Sequence, residues 1–328
     1  MTSSTRSPAS GPRPANPDSA KPRGGAATGD SQGVAMVLGC YLLWGMFPLY
    51  FHLLQAAGSV EIIGHRLVWT LVTCLALTAL RRSWPTLRAA VTTPRILVVL
   101  GIAGLLVSVN WLVYVYAVNS DRTADAALGY FINPLVTVVL AALFLGERLR
   151  LAQVIAVGIA IVAIMVLVVA QRSLPWISLS LAFSFGVYGL VKKRVSTQVD
   201  ALTGLTVESG CMTPVALAYF AWLYAGGHGA LQGATASGAL AAGLVLAGPV
   251  TATPLLLFAA GTRRVPLSIV GLSQYITPVM QFLLAWAVFH EEISPARWIS
   301  TALVWVAVIV FITDLLRQLA RRPHLGER

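Results

Sequence analysis

Long apolar blocks separated by short polar gaps run along most of this chain. A helix needs about 20 apolar residues to cross about 30 Å of hydrocarbon. Blocks of that length lie at 34–54, 60–80, 95–117, 124–145, 151–170, 174–191, 202–225, 237–260, 266–289 and 294–316. They lack the alternation of apolar and polar residues typical of outer-membrane barrel strands. The pattern therefore predicts an all-α membrane protein with ten transmembrane helices, because helices satisfy their own backbone groups in lipid.

Composition excludes a soluble enzyme. Only 11% of the 328 residues are charged and 57% are hydrophobic, whereas a soluble domain has about 25% charged residues. The net charge of +11 lies in the short gaps between apolar blocks, so no nucleic-acid partner is expected. The expected partners are a lipid bilayer and a small-molecule substrate. The sequence leaves open whether the chain forms a homodimer.

The placement of positive charges predicts orientation in a bacterial inner (cytoplasmic) membrane. Of the 23 Lys and Arg residues, 19 lie in the two tails and in alternate gaps, and three lie in the other gaps. Cytoplasmic segments carry the excess of Lys and Arg, so both termini are predicted to be cytoplasmic. Residues 1–33 are rich in Ser, Pro, Gly and Ala, which is typical of a disordered tail. Residues 317–328 form the predicted C-terminal tail.

Two halves of the chain resemble each other in sequence. Segment 128–134 matches segment 272–278 at an offset of 144 residues, and Arg66 falls opposite Glu208 at an offset of 142. The matches predict two repeats of five spans, at 34–170 and 174–316. Because five is odd, the second repeat enters the membrane upside down. Such inverted repeats are typical of secondary transporters, which bind substrate near the midplane; the alternative is a duplication without transport.

Twin prolines lie near the middle of predicted spans four and nine. Pro134 and Pro278 each remove a backbone donor, which leads either to a repaired kink or to a broken helix that exposes carbonyls to a polar cavity. Polar and aromatic residues at similar depth would line such a cavity. The candidates for the substrate site are Trp44, Arg66, Asn110, Trp111, Tyr114, Tyr130, Asn133, Pro134, Gln274, Tyr275, Pro278 and Gln281.

Arg66 is a charge inside a predicted span. A central Arg costs about 2.5–3.5 kcal/mol on insertion scales, so it needs a partner or a wet cavity. It lies about 9 Å below the outer end of its span, at about 1.5 Å per residue. Two interpretations stay open: Arg66 reaches Glu61 or the membrane surface, or it holds an anionic substrate or a counter-charge.

Glu208 is the corresponding charge in the second half and the candidate for coupling. It lies equally deep from the opposite side, so the two charges should differ in depth by roughly 12 Å and are not expected to pair directly. Burial favours the protonated form of a carboxyl group. With no close partner evident in the sequence, Glu208→Gln is expected to abolish proton coupling while the fold stays intact. The alternative is a hydrogen-bonded structural acid.

Other polar residues are predicted to be architectural. Glu147 with Arg148, and Glu291 with Glu292, follow spans four and nine. The sequence has no His-Glu-x-x-His helix, Gly-x-Ser-x-Gly elbow or Walker-type loop. The cysteines and the lone histidines His52 and His65 lack metal-ligand spacing. No enzyme activity, catalytic residue, metal or cofactor is therefore expected.

Several recognisable motifs are spread along the chain. They lie in segments 41–51, 61–66, 110–112, 117–119, 128–134, 144–148, 184–190, 274–276 and 294–297. Together they resemble the RarD-type permeases of the EamA branch of the drug/metabolite transporter superfamily. The resemblance covers about 34–316. It implies ten helices in an inverted five-plus-five repeat, and proton- or gradient-coupled movement of a small metabolite or drug. RarD-type proteins carry a label that links them to chloramphenicol sensitivity, which leaves the physiological substrate open.

The chain departs from the usual family pattern at three positions: His52 stands for a lysine, Asp125 for a glutamate and His290 for a glycine. If the lysine contacts substrate, its charge here becomes pH-dependent near the unperturbed histidine pKa of about 6.5. The sequence thus predicts a secondary transporter that works by alternating access. A non-transporting membrane sensor or assembly factor is the alternative.

Overall fold

The computed structural model describes residues 31–146, 148–195, 197–233 and 236–321. The helices in this part are α1 (Ser31–Gly45), α2 (Phe47–Leu53), α3 (Ser59–Leu80), α4 (Trp84–Thr92), α5 (Pro94–Asn119), α6 (Thr123–Leu145), α7 (Leu151–Gln171), α8 (Trp176–Lys193), α9 (Ala201–Ala225), α10 (Gly238–Gly261), α11 (Leu267–Ser273), α12 (Ile276–Leu283) and α13 (Pro295–Arg321). A π-helical turn, Leu284–Val288, continues α12. No strand occurs among the described residues, which confirms the all-α class.

Eight helical segments of the described chain are long and apolar enough to cross a membrane. One of them, Ser31–Leu53, joins α1 and α2, and another, Ile269–Val288, runs from α11 through the π-helical turn. The remaining long helices are α8, with 18 residues, and α9, with 25. Two lysines at the end of α8 and the polar residues of α9 lower their apolarity. The multi-pass membrane class is confirmed, and the count of ten spans stays a prediction.

The predicted gap at 81–95 contains the short helix α4. Pro85 lies in its first turn, where a missing N–H costs nothing. The predicted N-terminal tail lies outside the described residues, apart from 31–33, which belong to α1. Of the C-terminal tail, 317–321 form the end of α13. Glu147 also lies outside the described residues.

Helix packing divides the molecule into a central group and a peripheral pair. In the central group, α3 packs against α9 and α10, α5 against α8 and α9, α6 against α8 and α12, and α1 against α10 and α12. The helices α7 and α13 pack mainly against each other and also touch α6 and α11. The apolar outer side of α7 is exposed, as expected for a helix in lipid, where apolar side chains need no burial.

Glycines allow the closest helix contacts of the central group. A Cβ atom added to Gly248 on α10 would lie 2.2 Å from the carbonyl oxygen of Trp69 on α3. A Cβ atom on Gly104 of α5 would lie 2.7 Å from the carbonyl oxygen of Glu208 on α9. Small residues at such crossings let two backbones approach and gain van der Waals contact. These contacts bring the two charge-bearing helices α3 and α9 toward the centre of the bundle.

The twin prolines produce different local structures. Pro134 lies inside α6, which continues from Thr123 to Leu145 without a break. In the other half, α11 ends at Ser273 and α12 begins at Ile276, with Pro278 in the first turn of α12. At Pro134 the helix α6 is kept. At Pro278 the helical segment is interrupted at Gln274–Tyr275, between α11 and α12, next to the cavity described below.

Candidate functional site

A cavity of about 210 Å³ lies at the centre of the bundle, between helices of both halves. The predicted candidates that line it are Trp44, Arg66, Asn110, Trp111, Tyr114, Tyr130, Asn133, Glu208, Gln274, Tyr275, Pro278 and Gln281. Pro134 is the exception, since it is not among the described lining residues, and His52 does not line the cavity either. The structure therefore gathers residues from distant parts of the sequence around one space, although their role stays a prediction.

Arg66 is held by aromatic rings and a single hydrogen bond. Its side chain is buried, with 3% of the residue exposed, and its guanidinium carbon lies 3.8 Å from the centre of the Trp111 ring. Its Nε donates to the Thr251 hydroxyl at 2.9 Å. Stacking on an aromatic face stabilises a desolvated guanidinium by about 2 kcal/mol. Its two terminal nitrogens make no hydrogen bond and no ion pair with any described residue.

The interpretation that pairs Arg66 with Glu61 is wrong. The Glu61 carboxylate accepts hydrogen bonds from the Tyr224 hydroxyl at 2.8 Å and from the Ala230 backbone N–H at 3.1 Å. Glu61 therefore ties the end of α9 and the loop after it to the first turn of α3. The depth of Arg66 along its helix could not predict whether it contacts Glu61 or the aromatic rings. Its contacts depend on the direction in which each side chain points around the helix axis.

Asn110 fixes one wall of the cavity. Its amide nitrogen donates to the Leu181 carbonyl at 3.1 Å and to the Ser184 hydroxyl at 2.9 Å, which connects α5 to α8. Its amide oxygen accepts from the Tyr130 hydroxyl at 3.1 Å. A buried amide with its donors and acceptor engaged orients the side chains around it. Asn110 and Tyr130 thus form a rigid polar wall.

The opposite wall keeps unused hydrogen-bonding groups. Gln281 donates to the Trp44 carbonyl at 3.2 Å, and Thr277 donates to the Tyr41 carbonyl at 2.8 Å, which tie α12 to α1. The Gln281 side-chain oxygen and the Tyr275 hydroxyl are buried and have no hydrogen-bond partner among the described residues. Buried polar atoms normally have partners, so this wall is less completely hydrogen-bonded than the wall around Asn110.

Glu208 has a close partner, which corrects the sequence-based expectation. Glu208 is buried, with 1% of the residue exposed, and its carboxylate lies 2.8 Å from the Lys192 ammonium group. The Tyr188 hydroxyl donates to the same carboxylate at 3.3 Å and accepts from Lys192 at 2.5 Å. Lys192 and Tyr188 both line the cavity. In the sequence Lys192 is one of the 19 Lys and Arg residues that predict orientation. Its spacing of four residues from Tyr188 is the signal that places both side chains on one helix face.

A second charged cluster lies outside the cavity lining. The Glu291 carboxylate accepts from the backbone N–H groups of Thr123 and Ala124 at 2.6 and 3.0 Å, so it caps the first turn of α6. Asp125, in the same turn, lies 2.7 Å from Arg122 and 3.1 Å from Arg297. Anionic groups at a helix N-terminus interact favourably with its dipole. The cluster joins the end of span nine to the start of α6, which agrees with an architectural role for Glu291.

His52 and His290, the two histidines that depart from the usual family pattern, lie in segments that pack against each other. The His52 ring packs on Phe289 at 4.8 Å, and the next residue, His290, has a left-handed backbone with φ of 53°. Glycine adopts this conformation without strain, so the glycine that the resemblance leads one to expect would fit this backbone better than His290 does. His65 packs on Phe220 at 4.5 Å. Among the described residues, no group of three His, Cys, Asp or Glu side chains could hold a metal ion.

Comparison with known proteins gives a consistent result. The model of the EamA-like transporter family matches residues 31–169 and 174–313. Protein RarD of Streptomyces exfoliatus is 44% identical over 293 residues, which cover 89% of this chain and 91% of that protein. Protein RarD of Escherichia coli K12 is 39% identical over 286 residues, which cover 87% and 95%. The Chloramphenicol-sensitive protein RarD of Pseudomonas aeruginosa is 32% identical over 298 residues.

A solved crystal structure shares the fold. It aligns with a TM-score of 0.55 and 21% identity, over 89% of this chain and 99% of that one. The family and its relatives point to a transporter and not to an enzyme. The chain is a multi-pass inner-membrane protein that belongs to the EamA-like transporter family, as a RarD-type permease of the drug/metabolite transporter superfamily.

Proposed function

We propose that this permease is a secondary transporter that carries a small metabolite or drug across the cytoplasmic membrane by alternating access. The observation that carries the proposal is the central cavity, which places buried Arg66 and the Glu208–Lys192 pair around one space. Buried charges in a membrane protein are costly and usually serve a substrate or ion pathway. A small, mostly apolar cavity with a few converging polar groups is also the usual form of a small-molecule site.

Ten spans in two inverted repeats form the proposed framework. In this framework α1, α3, α5 and α6 of the first half correspond to α8, α9, α10 and α12 of the second half. The contact of α5 with α9 then has a counterpart in the contact of α10 with α3. The contacts of α6 and of α5 with α8 likewise have counterparts in the contacts of α12 and of α10 with α1, and all of these contacts are present. This correspondence supports a two-fold axis in the membrane plane through the cavity, which is the arrangement that lets two halves exchange conformations.

In the proposed mechanism, Arg66 contacts substrate and Glu208 couples transport to a proton gradient. With both termini cytoplasmic, Lys192 and Ala201 lie at the cytoplasmic ends of α8 and α9, and the cavity reaches both. Protonation of Glu208 would neutralise the partner of Lys192 and weaken the side-chain bridge that joins α8 to α9. A proton on Glu208 would therefore loosen this bridge at the cytoplasmic side, which is the proposed coupling step.

A membrane sensor or assembly factor would bind a ligand in the same cavity without moving it. The distinguishing experiment is flux in everted membrane vesicles that contain the wild type or the Arg66→Gln/Glu208→Gln double variant, screened against a pooled panel of metabolites and drugs. If the protein is a proton-coupled transporter, we expect at least one compound to cross the membrane only with the wild type and only with a pH gradient. Binding of a panel compound to the purified protein with no flux under any gradient would favour the sensor. Arg88→Gln, on an exposed residue of α4, is the matched control.

A further inference from the structure

We infer that the substrate of this site is a monoanion that joins a carboxylate to an aromatic ring, with Arg66 as the residue that binds the carboxylate. The inference rests on the proposed function for transport, but the binding site itself is argued from the cavity. Three features carry it: the charge balance of the lining, the unused side of the Arg66 guanidinium, and the aromatic walls.

The described lining residues leave one positive charge unbalanced. The charged side chains that line the cavity are Arg66, Lys192 and Glu208. Lys192 and Glu208 neutralise each other at 2.8 Å, and no carboxylate of the described chain lies within ion-pair distance of Arg66. A single anion would make the lining neutral, whereas a neutral solute would leave a buried cation unpaired and a cation would add repulsion. Charge balance therefore favours a monoanion.

The guanidinium is positioned for a carboxylate. One face of the group lies on the Trp111 ring at 3.8 Å, and Phe51 and Phe47 lie at 5.3 and 5.5 Å. Nε is already engaged by Thr251, so the terminal nitrogens provide the donors that are left for a ligand. A planar fork with free N–H groups binds a carboxylate through two parallel hydrogen bonds. The rings and Thr251 fix its orientation before the ligand arrives, which reduces the entropy lost on binding.

The remaining lining favours an aromatic ring over an alkyl chain. Trp44 and Tyr41 meet edge to face at 5.6 Å between ring centres, and Tyr130 meets Phe185 in the same way at 6.4 Å. A ligand ring that meets these side chains in the same geometries would be stabilised beyond simple burial, whereas an alkyl chain would gain burial alone. Phe47, Trp111, Tyr114 and Tyr275 add further aromatic side chains to the lining of the same cavity. The cavity thus has a cationic part and an aromatic part.

The test compares probes that differ in one feature at a time. Phenylacetate, phenylacetamide and phenethylamine share a ring and differ in charge, and acetate has the charge without the ring. Binding to the purified wild type is measured by thermal stabilisation at increasing ligand concentration. Phenylacetate is expected to bind about 10- to 100-fold more tightly than phenylacetamide, since a charge-assisted contact has that effect. Equal affinity for the amide, tighter binding of the amine, or equal affinity for acetate would each overturn the inference.

Variants then assign the preference to Arg66. Arg66→Gln should bring the affinity for phenylacetate down to that for phenylacetamide, while Arg66→Lys, which keeps the charge and loses the fork, should retain part of the preference. Arg88→Gln should bind like the wild type. A preference for phenylacetate that survives in folded Arg66→Gln would refute the assignment, and if that variant does not fold, Arg66→Lys decides through the reduced preference.

Uptake of labelled phenylacetate into proteoliposomes separates this inference from the proposed function. Arg66-dependent binding with no uptake under any gradient would overturn transport and leave the anion site standing. Uptake of the amide or amine, but not of phenylacetate, would overturn the anion site and leave transport standing.

Discussion

The Glu208–Lys192 pair provides a quantitative test of the structure. Glu208→Gln removes one partner of a buried ion pair and leaves the Lys192 ammonium without its carboxylate. Loss of one partner from a fully buried pair costs about 3–5 kcal/mol. Because the Lys192 side chain is 30% exposed and that of Glu208 only 2%, water can solvate part of the remaining charge, and we expect a cost of about 2–3 kcal/mol. We therefore expect Glu208→Gln to be destabilised, since the fold loses the partner of Lys192 that the sequence did not reveal.

A double-mutant cycle measures the pair directly. Lys192→Met keeps the length of the side chain and removes its charge, so the Lys192→Met/Glu208→Gln double variant contains no unpaired charge. We expect this variant to be more stable than Glu208→Gln alone, with a coupling free energy of about 2–3 kcal/mol. The assay is denaturant-induced unfolding in detergent micelles, followed by tryptophan fluorescence. Additive losses, with the double variant less stable than either single variant, would refute the paired geometry.

Two further predictions concern helix packing and capping. Gly248→Ala should lower the free energy of unfolding by about 1–3 kcal/mol, because its Cβ atom would meet the Trp69 carbonyl at 2.2 Å; Gly39→Ala, with nothing within 4 Å of the added atom, should instead raise it by about 0.5–1 kcal/mol. Equal effects at the two glycines in thermal unfolding would contradict the close crossing. Glu291→Gln should cost about 1–2 kcal/mol through the weakened cap of α6, and exposed Glu292→Gln should cost nothing measurable; matching midpoints would argue against the cap.

The sequence by itself determined the membrane class, the family and the positions of the apolar helices. These depend on the local distribution of apolar and charged residues, because the length and apolarity of each segment decide whether it can cross the bilayer. The motifs around Trp44, Asn110 and Tyr130 also identified the family, which the comparisons confirm. The gathering of those residues around one cavity agrees with their predicted role, which stays a prediction. The count of ten spans also stays a prediction, because the polar residues of α8 and α9 make these two helices less apolar than the other spans.

Only the tertiary structure decided which charged groups meet. Depth along the helix made Glu61 one possible partner of Arg66. In the structure Glu61 binds the end of α9 and the loop after it, and Arg66 lies on Trp111. Lys192 was counted with the orientation charges, yet it pairs with Glu208. The physical reason is that hydropathy and spacing fix the position of a residue along its helix. The rotation and close approach of neighbouring helices fix its partners, and these depend on contacts between residues far apart in the sequence.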